Sequence, residues 1–138
     1  MKRTGSAHWE GDLKAGKGTI TTQSAILNNT QYSFNTRFEN GIGTNPEELL
    51  AASHAGCFTM AVSAALTQAG FTPAFLDTVA SVNLEGLAIT NVHIIIKGKV
   101  PNISADQFDK ITKGAEKNCI ISKALNVPIS SEATLVSE

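Results

Sequence analysis

The sequence predicts an α+β fold with the element order β-β-β-α-β-β-α-(α)-β. Three observations lead to this prediction: short runs of β-branched and aromatic residues before residue 40, a long apolar segment after Asn45-Pro46, and alternating apolar residues between Thr78 and Val100. The chain has 138 residues, of which 42% are hydrophobic. It is therefore long enough to bury a core as one domain, residues 1–138.

The first part of the chain predicts three strands. His8-Trp9-Glu10-Gly11 begins the first, and the β-branched residues of 17–22 predict the second. Asn28-Asn29 is a turn signal. Residues 31–38 alternate aromatic residues and threonine with polar ones, which predicts a third strand. On that strand Arg37 would lie on the face opposite the aromatic side chains.

A long helix is predicted next. Residues 40–44 are a loop, Asn45 is suited to cap the helix, and Pro46 is suited to its first position. The apolar pattern continues to about Gln68, where Ala69-Gly70 ends it.

A strand pair follows this helix, over Thr78 to Leu84 and Asn91 to Val100. In the second strand the apolar residues fall on alternate positions, which predicts one buried face. The residues predicted to share that face are Val92, Ile94, Ile96 and Val100.

The C-terminal part predicts a broken helix and a last strand. Ser104 and Gln107 have the spacing of a capping box. Asn118 suggests a break just before Cys119, and a shorter helix then runs through Leu125. Pro128 to Val136 reads as the final strand.

Composition argues against two classes of partner. The net charge is −1 and no basic block occurs, so the sequence gives no electrostatic reason to expect nucleic-acid binding. Leu49 to Leu66 carries no formal charge but is rich in Ala, Ser and Gly, which favours a core helix over a membrane span.

Met1 to Ser6 opens without the apolar core of a secretory signal. We therefore expect a cytoplasmic protein with reduced thiols.

Cys57 and Cys119 are the two cysteines of the chain. A thiolate is the reactive form, so a reactive cysteine needs a nearby positive charge or a helix N-terminus. Cys57 lies about eleven residues inside its predicted helix, beyond the reach of the helix dipole. A cation must come from elsewhere: Arg37 is the best-placed candidate, and Glu47 or Glu48 can hold it in place.

Helix geometry then suggests a dimer. Glu47 and Cys57 are ten residues apart, which is about 15 Å along a helix axis. If two copies of the helix crossed antiparallel near Ala52, Glu47 of one would lie beside Cys57 of the other. The surrounding residues are small enough for close approach: Ala51, Ala52, Ser53, Ala55 and Gly56. This predicts a homodimer with composite sites at its interface.

Plainer interpretations stay open for each of these residues. A cysteine on an apolar helix is most often an inert buried thiol. His54 shares a helix face with Cys57, which fits a cysteine–histidine nucleophile, half of a metal site, or a packed histidine. No CxxC or HxxxH spacing completes a metal site. The alternatives to a redox enzyme are a cysteine hydrolase and a dimeric ligand-binding or structural protein without activity.

The chain resembles the OsmC/Ohr family, the osmotically inducible protein C and organic hydroperoxide resistance proteins, and is most similar to the OsmC branch. The resemblance extends over nearly the whole chain. The segments that carry it are Ala7–Asp12, Phe34–Glu39, Gly43–Leu49, Ala55–Phe58 and Ala69–Pro73.

This resemblance implies an intertwined homodimer that reduces hydroperoxides with thiols, organic ones in preference to hydrogen peroxide. It implies that Cys57 is the peroxidatic cysteine, Cys119 the resolving cysteine, Arg37 the activating arginine and Glu47 its partner. The expected cycle is a Cys57 sulfenic acid, then a Cys57–Cys119 disulfide that an external dithiol reduces. No metal or bound cofactor is implied. One departure is Ile120, because the family usually has proline after the second cysteine.

Apolar side chains near the expected reactive thiol are also predicted to select the substrate. Phe58 and Met60 follow Cys57 closely, and either can favour an alkyl hydroperoxide over hydrogen peroxide.

Overall fold

The structure is a computed structural model that describes residues 1–137. It divides into two compact units, a first one of Met1–Leu49 and a second that begins at Leu50. The elements in chain order are β1 (Gly5–Glu10), β2 (Lys17–Thr22), β3 (Thr30–Tyr32), α1 (Phe34–Phe38), α2 (Pro46–Gln68), β4 (Phe75–Glu85), β5 (Ala88–Lys99), α3 (Ala105–Asn118), α4 (Ile120–Ala124) and β6 (Ile129–Leu135). The α+β prediction is confirmed, with one helix more than expected.

The first unit contains an antiparallel sheet in the order β1-β2-β3. Gly18 lies at its centre, in register with Trp9 on one side and Tyr32 on the other. The two rings meet edge to face, with centroids 5.5 Å apart. A Cβ atom at Gly18 would come within 2.6 Å of both rings, so glycine is needed for this packing.

The predicted strand over residues 31–38 is wrong in its second half. The strand β3 ends at Tyr32, and the next residues form the short helix α1. Arg37 therefore lies in the last turn of a helix, and not on a strand face opposite the aromatic residues.

Local chemistry explains this helix. Ser33 and Thr36 form a capping box, in which the Ser33 side chain accepts from the Thr36 N–H at 3.2 Å and Thr36 Oγ1 accepts from the Ser33 N–H at 2.8 Å. Phe34 and Phe38 pack with ring centroids 5.0 Å apart. Aromatic residues four positions apart fit a helix as well as they fit alternation, and the cap decides between the two.

The long helix α2 has the predicted bounds. Asn45 caps it, because its side-chain oxygen accepts from the Glu48 N–H at 2.7 Å. Beyond its end, Gly70 has a φ of +91° and the Phe71 N–H bonds to the Leu66 carbonyl at 2.9 Å. By length and composition alone this helix is able to cross a membrane. Its fully buried stripe is instead that of a core helix.

In the second unit, β4 and β5 are antiparallel and β5 and β6 are parallel. The predicted buried face is confirmed, since Val92, Ile94 and Ile96 of β5 and Val100 directly after it lie in the core. That core consists of Phe58, Val62, Leu66, Val92, Ile94, Ile96, Val100, Phe108, Ala115 and Cys119.

The broken helix is also confirmed. Ser104 and Gln107 form the predicted capping box at the start of α3. The chain leaves helical geometry at Cys119, with φ −58° and ψ 133°, and α4 starts at Ile120. Cys119 is thus both the residue that ends α3 and the residue that precedes α4.

Candidate active site

Two thiols of the second unit meet at a helix junction. Cys57 on α2 is partly exposed, whereas Cys119 between α3 and α4 is 1% exposed. The two side chains affect each other's pKa, and both are free thiols. The structure therefore brings together two predicted site residues that are 62 positions apart in the sequence.

The N-terminus of α4 faces both sulfur atoms. The backbone N–H groups of Ile121 and Ile120 lower the pKa of Cys57, and those of Ser122 and Ile121 lower the pKa of Cys119. The break in the helix at Cys119 leaves these N–H groups without partners in the helix, so they are available to the sulfurs. Such donors favour a thiolate over a thiol.

The surroundings of Cys57 within this unit do not favour its ionisation. Burial raises the pKa of Cys57, and the hydrogen bond to Cys119 raises that pKa further. The N–H groups of Ile121 and Ile120 oppose this but do not reverse it. Within this unit, Cys57 is therefore a thiol at neutral pH.

Cys119 has the opposite balance. Burial raises its pKa, but the Ser122 N–H, the Cys57 thiol and the Ser122 hydroxyl together lower it by a larger amount. The net effect is a lowered pKa for Cys119. Of the two sulfurs, the buried one is thus better prepared to be a thiolate, and the exposed one is better placed to meet a substrate.

His54 lies on α2, one helical turn before Cys57, and is fully buried. Its Nε2 is 2.7 Å from the Ser122 hydroxyl oxygen. Burial lowers the pKa of His54, so the ring is neutral at pH 7. The sequence analysis did not identify Ser122 as a site residue. The signal that could have identified it is its position three residues after Cys119, in the first turn of the short helix.

The first unit contains the predicted arginine pair. Arg37 Nη2 lies 2.7 Å from a Glu47 carboxylate oxygen, and Arg37 Nε lies 3.0 Å from the same oxygen and 3.2 Å from the other. The Glu47 side chain is 12% exposed and that of Arg37 is 41% exposed. The contact with Glu47 raises the pKa of Arg37. Glu47 thus holds the guanidinium in one orientation while leaving part of it open.

Glu48, the alternative partner for the arginine, has another role. Its N–H is capped by Asn45, whose amide nitrogen also approaches the Glu48 carboxylate at 3.4 Å. Glu48 is therefore part of the helix cap.

A cavity of about 250 Å³ opens beside Arg37 in the first unit. It is lined by Trp9, Leu13, Tyr32, Ser33, Phe34, Arg37 and Phe38. Sequence reasoning missed this cavity because its residues come from β1, β3 and α1 and from the loop after β1. It offers an apolar wall next to a cation.

The two apolar residues expected to select the substrate, Phe58 and Met60, differ in exposure. Phe58 is fully buried in the core, so that part of the expectation is wrong. Met60 is 75% exposed. Among residues 1–137, no three His, Cys, Asp or Glu side chains gather as a metal site requires.

Comparisons with known proteins identify the family of the chain. The sequence model of the family described as OsmC-like protein matches residues 38–132. The chain is 48% identical to a protein named Peroxiredoxin OsmC from Escherichia coli (strain K12), over 99% of both chains, and equally to one of the same name from Shigella flexneri.

Solved structures share the fold. The organic hydroperoxide resistance protein OhrB of Bacillus subtilis aligns with a TM-score of 0.70 at 21% identity, over 96% of this chain and 98% of that one. An OsmC-like protein from Mycoplasma pneumoniae aligns with a TM-score of 0.73 at 16% identity, over 99% of both chains. Taken with the family match and the close relatives, these alignments lead to one conclusion: the chain belongs to the OsmC-like protein family.

Proposed function

We propose that this chain is a cysteine-based peroxidase that reduces organic hydroperoxides, and hydrogen peroxide less well, in defence against oxidative or osmotic stress. One observation carries the proposal: a partly exposed free thiol interacts with a buried free thiol at a helix junction. The Escherichia coli relative is named a peroxiredoxin, and the Bacillus subtilis structure is that of an organic hydroperoxide resistance protein. Both names agree with such a thiol pair.

The first step is assigned to Cys57 because a peroxide can reach it. Its thiolate attacks the distal oxygen of the hydroperoxide and the O–O bond breaks. The sulfur is oxidised to a sulfenic acid, and the leaving alkoxide takes a proton to become the alcohol. Cys119 is 1% exposed and is therefore the resolving cysteine rather than the first nucleophile.

Arg37 supplies the missing positive charge. Since the pKa of Cys57 is raised by its own unit, a guanidinium must act on the sulfur to produce the thiolate at neutral pH. Glu47 already orients Arg37 in this chain, through contacts of 2.7 to 3.2 Å. The remaining donors of the arginine can bind the peroxide oxygens.

The enzyme works as a homodimer, with the Arg37–Glu47 pair of one subunit serving Cys57 of the other. The spacing of Glu47 and Cys57 along the sequence supports this arrangement, as argued above. So does the surface of α2: Ala52, Gly56 and Met60 recur every four residues and are all exposed. A second copy of α2 would cover this small apolar stripe.

The apolar cavity beside Arg37 supports an organic substrate. Its aromatic walls can hold an alkyl chain, while the guanidinium holds the polar peroxide end. Hydrogen peroxide has no chain to bury there and gains less from the cavity.

The cycle ends with a disulfide between Cys57 and Cys119 and its reduction by an external dithiol. A cycle of this kind requires a reducing compartment, so we propose that the protein is cytoplasmic. We also propose that residues 1–138 form one OsmC-like domain without a bound cofactor.

Mass spectrometry of the intact protein tests the proposal. One equivalent of an alkyl hydroperoxide should remove two hydrogens from the reduced protein and join Cys57 to Cys119. Cys57→Ser should abolish peroxide consumption. Cys119→Ser should still consume one equivalent and accumulate a sulfenic acid that dimedone traps. A wild-type protein that is not oxidised, with no dimedone adduct, would instead favour the non-enzymatic alternative.

A further inference from the structure

A buried polar pair lies behind the resolving thiol. His54 on α2 is 0% exposed and Ser122 on α4 is 7% exposed. His54 Nε2 and Ser122 Oγ are 2.7 Å apart, although 68 positions separate the residues in sequence. Buried polar side chains cost free energy unless their hydrogen bonds repay it, so a fully buried histidine at this position calls for an explanation.

Ser122 continues the contact to sulfur. Both its N–H and its hydroxyl lower the pKa of Cys119, and so does the Cys57 thiol. A buried path of polar groups thus runs from His54 through Ser122 to the two thiols. This path connects the one buried histidine of the described residues to both thiols.

The direction of the hydrogen bonds follows from the ring nitrogens. His54 Nδ1 is buried and has no hydrogen-bond partner within residues 1–137. A buried N–H without a partner is rarer than a lone pair without one, so the proton of the neutral ring is on Nε2. Nε2–H then donates to Ser122 Oγ, which leaves the Ser122 hydroxyl hydrogen free to point at Cys119.

We propose that His54 and Ser122 are positioning residues for the disulfide step: the His54–Ser122 hydrogen bond fixes the Ser122 hydroxyl, which in turn acts on the Cys119 sulfur three residues earlier. This inference rests on the proposed peroxidase function. In the step, the Cys119 thiolate attacks the sulfur of the Cys57 sulfenic acid, the S–S bond forms and the S–O bond breaks. Cys119 is oxidised, the sulfenic sulfur is reduced, and the leaving hydroxide takes a proton to become water.

If His54 and Ser122 act only in the disulfide step, their loss should affect disulfide formation and not sulfenic acid formation. The peroxide reacts at Cys57, which touches neither His54 Nε2 nor the Ser122 hydroxyl in the hydrogen bonds described above. Loss of the pair should therefore leave sulfenic acid formation within about twofold of wild type. Disulfide formation should slow by about tenfold or more, the effect expected when a charged group loses a hydrogen bond.

Stopped-flow single turnovers of the reduced, full-length protein with an alkyl hydroperoxide test this. The variants are His54→Leu and Ser122→Ala, which remove the hydrogen bonds. Their matched controls are His54→Gln, whose amide can still reach Ser122, and Ser122→Thr, which keeps the hydroxyl. We expect slow disulfide formation and more dimedone trapping of Cys57 in the first two, and near wild-type rates in the controls. The double variant should be no slower than Ser122→Ala, since the two residues act through one chain of bonds.

An unchanged rate of disulfide formation in Ser122→Ala would overturn the proposal, and so would the absence of rescue in Ser122→Thr. These serine variants decide the outcome even if His54→Leu does not fold. Absence of a sulfenic acid in the wild-type protein would instead count against the proposed function, so the two failures are distinguishable.

Discussion

Cys57 and Cys119 carry the same side chain, and their surroundings assign them different tasks. Burial and the bond to Cys119 raise the pKa of Cys57, while hydrogen bonds from Ser122 and from the Cys57 thiol outweigh burial at Cys119. Accessibility runs in the opposite direction, because the partly exposed sulfur is Cys57. In the proposed mechanism, Cys57 as the peroxidatic thiol therefore depends on an added cation, and Cys119 as the resolving thiol depends on groups already present in the second unit.

Arg37→Lys tests the need for that cation. Lysine keeps the charge but loses the two-pronged contact with Glu47, so its ammonium is not held in place. The rate constant for sulfenic acid formation should fall by about tenfold or more, with the apparent pKa of Cys57 rising. Arg3→Lys is the matched control, since Arg3 is exposed and bonds only the neighbouring Lys2 carbonyl in the described structure. An Arg37→Lys enzyme as fast as Arg3→Lys would remove Arg37 from the mechanism.

At the scale of elements, the helix α1 shows why the residue pattern of a short segment can predict the wrong secondary structure. Residues 31–38 alternate well enough for a strand, and yet Ser33 caps a helical turn in the middle of them. A capping box contributes about 1 kcal/mol locally, which is enough to decide between two conformations of five residues. The long helix α2 was predicted with its bounds because its apolar pattern spans many turns and its cap and stop signals agree.

The exposed stripe of α2 leads to a prediction about assembly. Gly56 and Gly114 are both helical glycines with open space where a Cβ would lie in a single chain. Gly56→Glu places a charge in the proposed dimer contact and should yield monomers with little peroxidase activity. Gly114→Glu, on α3, should remain a dimer with normal activity. Sedimentation equilibrium distinguishes the two, and a dimeric Gly56→Glu protein would contradict the α2 interface.

For the whole molecule, buried His54 links stability to pH. Burial lowers its pKa in the folded state, so the unfolded chain binds a proton that the folded chain does not. Protonation of His54 in the unfolded chain does not affect stability well above the unfolded pKa of about 6.5. As the pH falls below that value, this protonation favours the unfolded chain and lowers the free energy of unfolding.

The free energy of unfolding should therefore decrease between pH 7 and pH 5 by up to about 1.4 kcal/mol per pH unit from this group. Urea unfolding at several pH values measures it. His54→Gln cannot titrate and should flatten the curve, whereas His8→Gln, at an exposed position, should not. Equal curves for the wild type and His54→Gln would show that His54 does not govern acid stability.

Much of this protein is determined by sequence alone, because the deciding interactions are local. The caps at Asn45 and Ser104, the alternation along β5 and the break before Cys119 each involve residues within a few positions of one another. The resemblance of its motifs adds the two cysteines and the Arg37–Glu47 pair as site residues.

Tertiary structure alone decided the contacts between distant segments. The pairing of His54 with Ser122 joins residues 68 positions apart, and the effect of the Cys57 thiol on the pKa of Cys119 joins residues on two different helices. Apolar periodicity predicts which face of an element is buried, but it does not predict which polar side chain of another element will contact that face. That choice is made when the elements pack, since only then do groups such as His54 Nε2 and Ser122 Oγ come within hydrogen-bond distance.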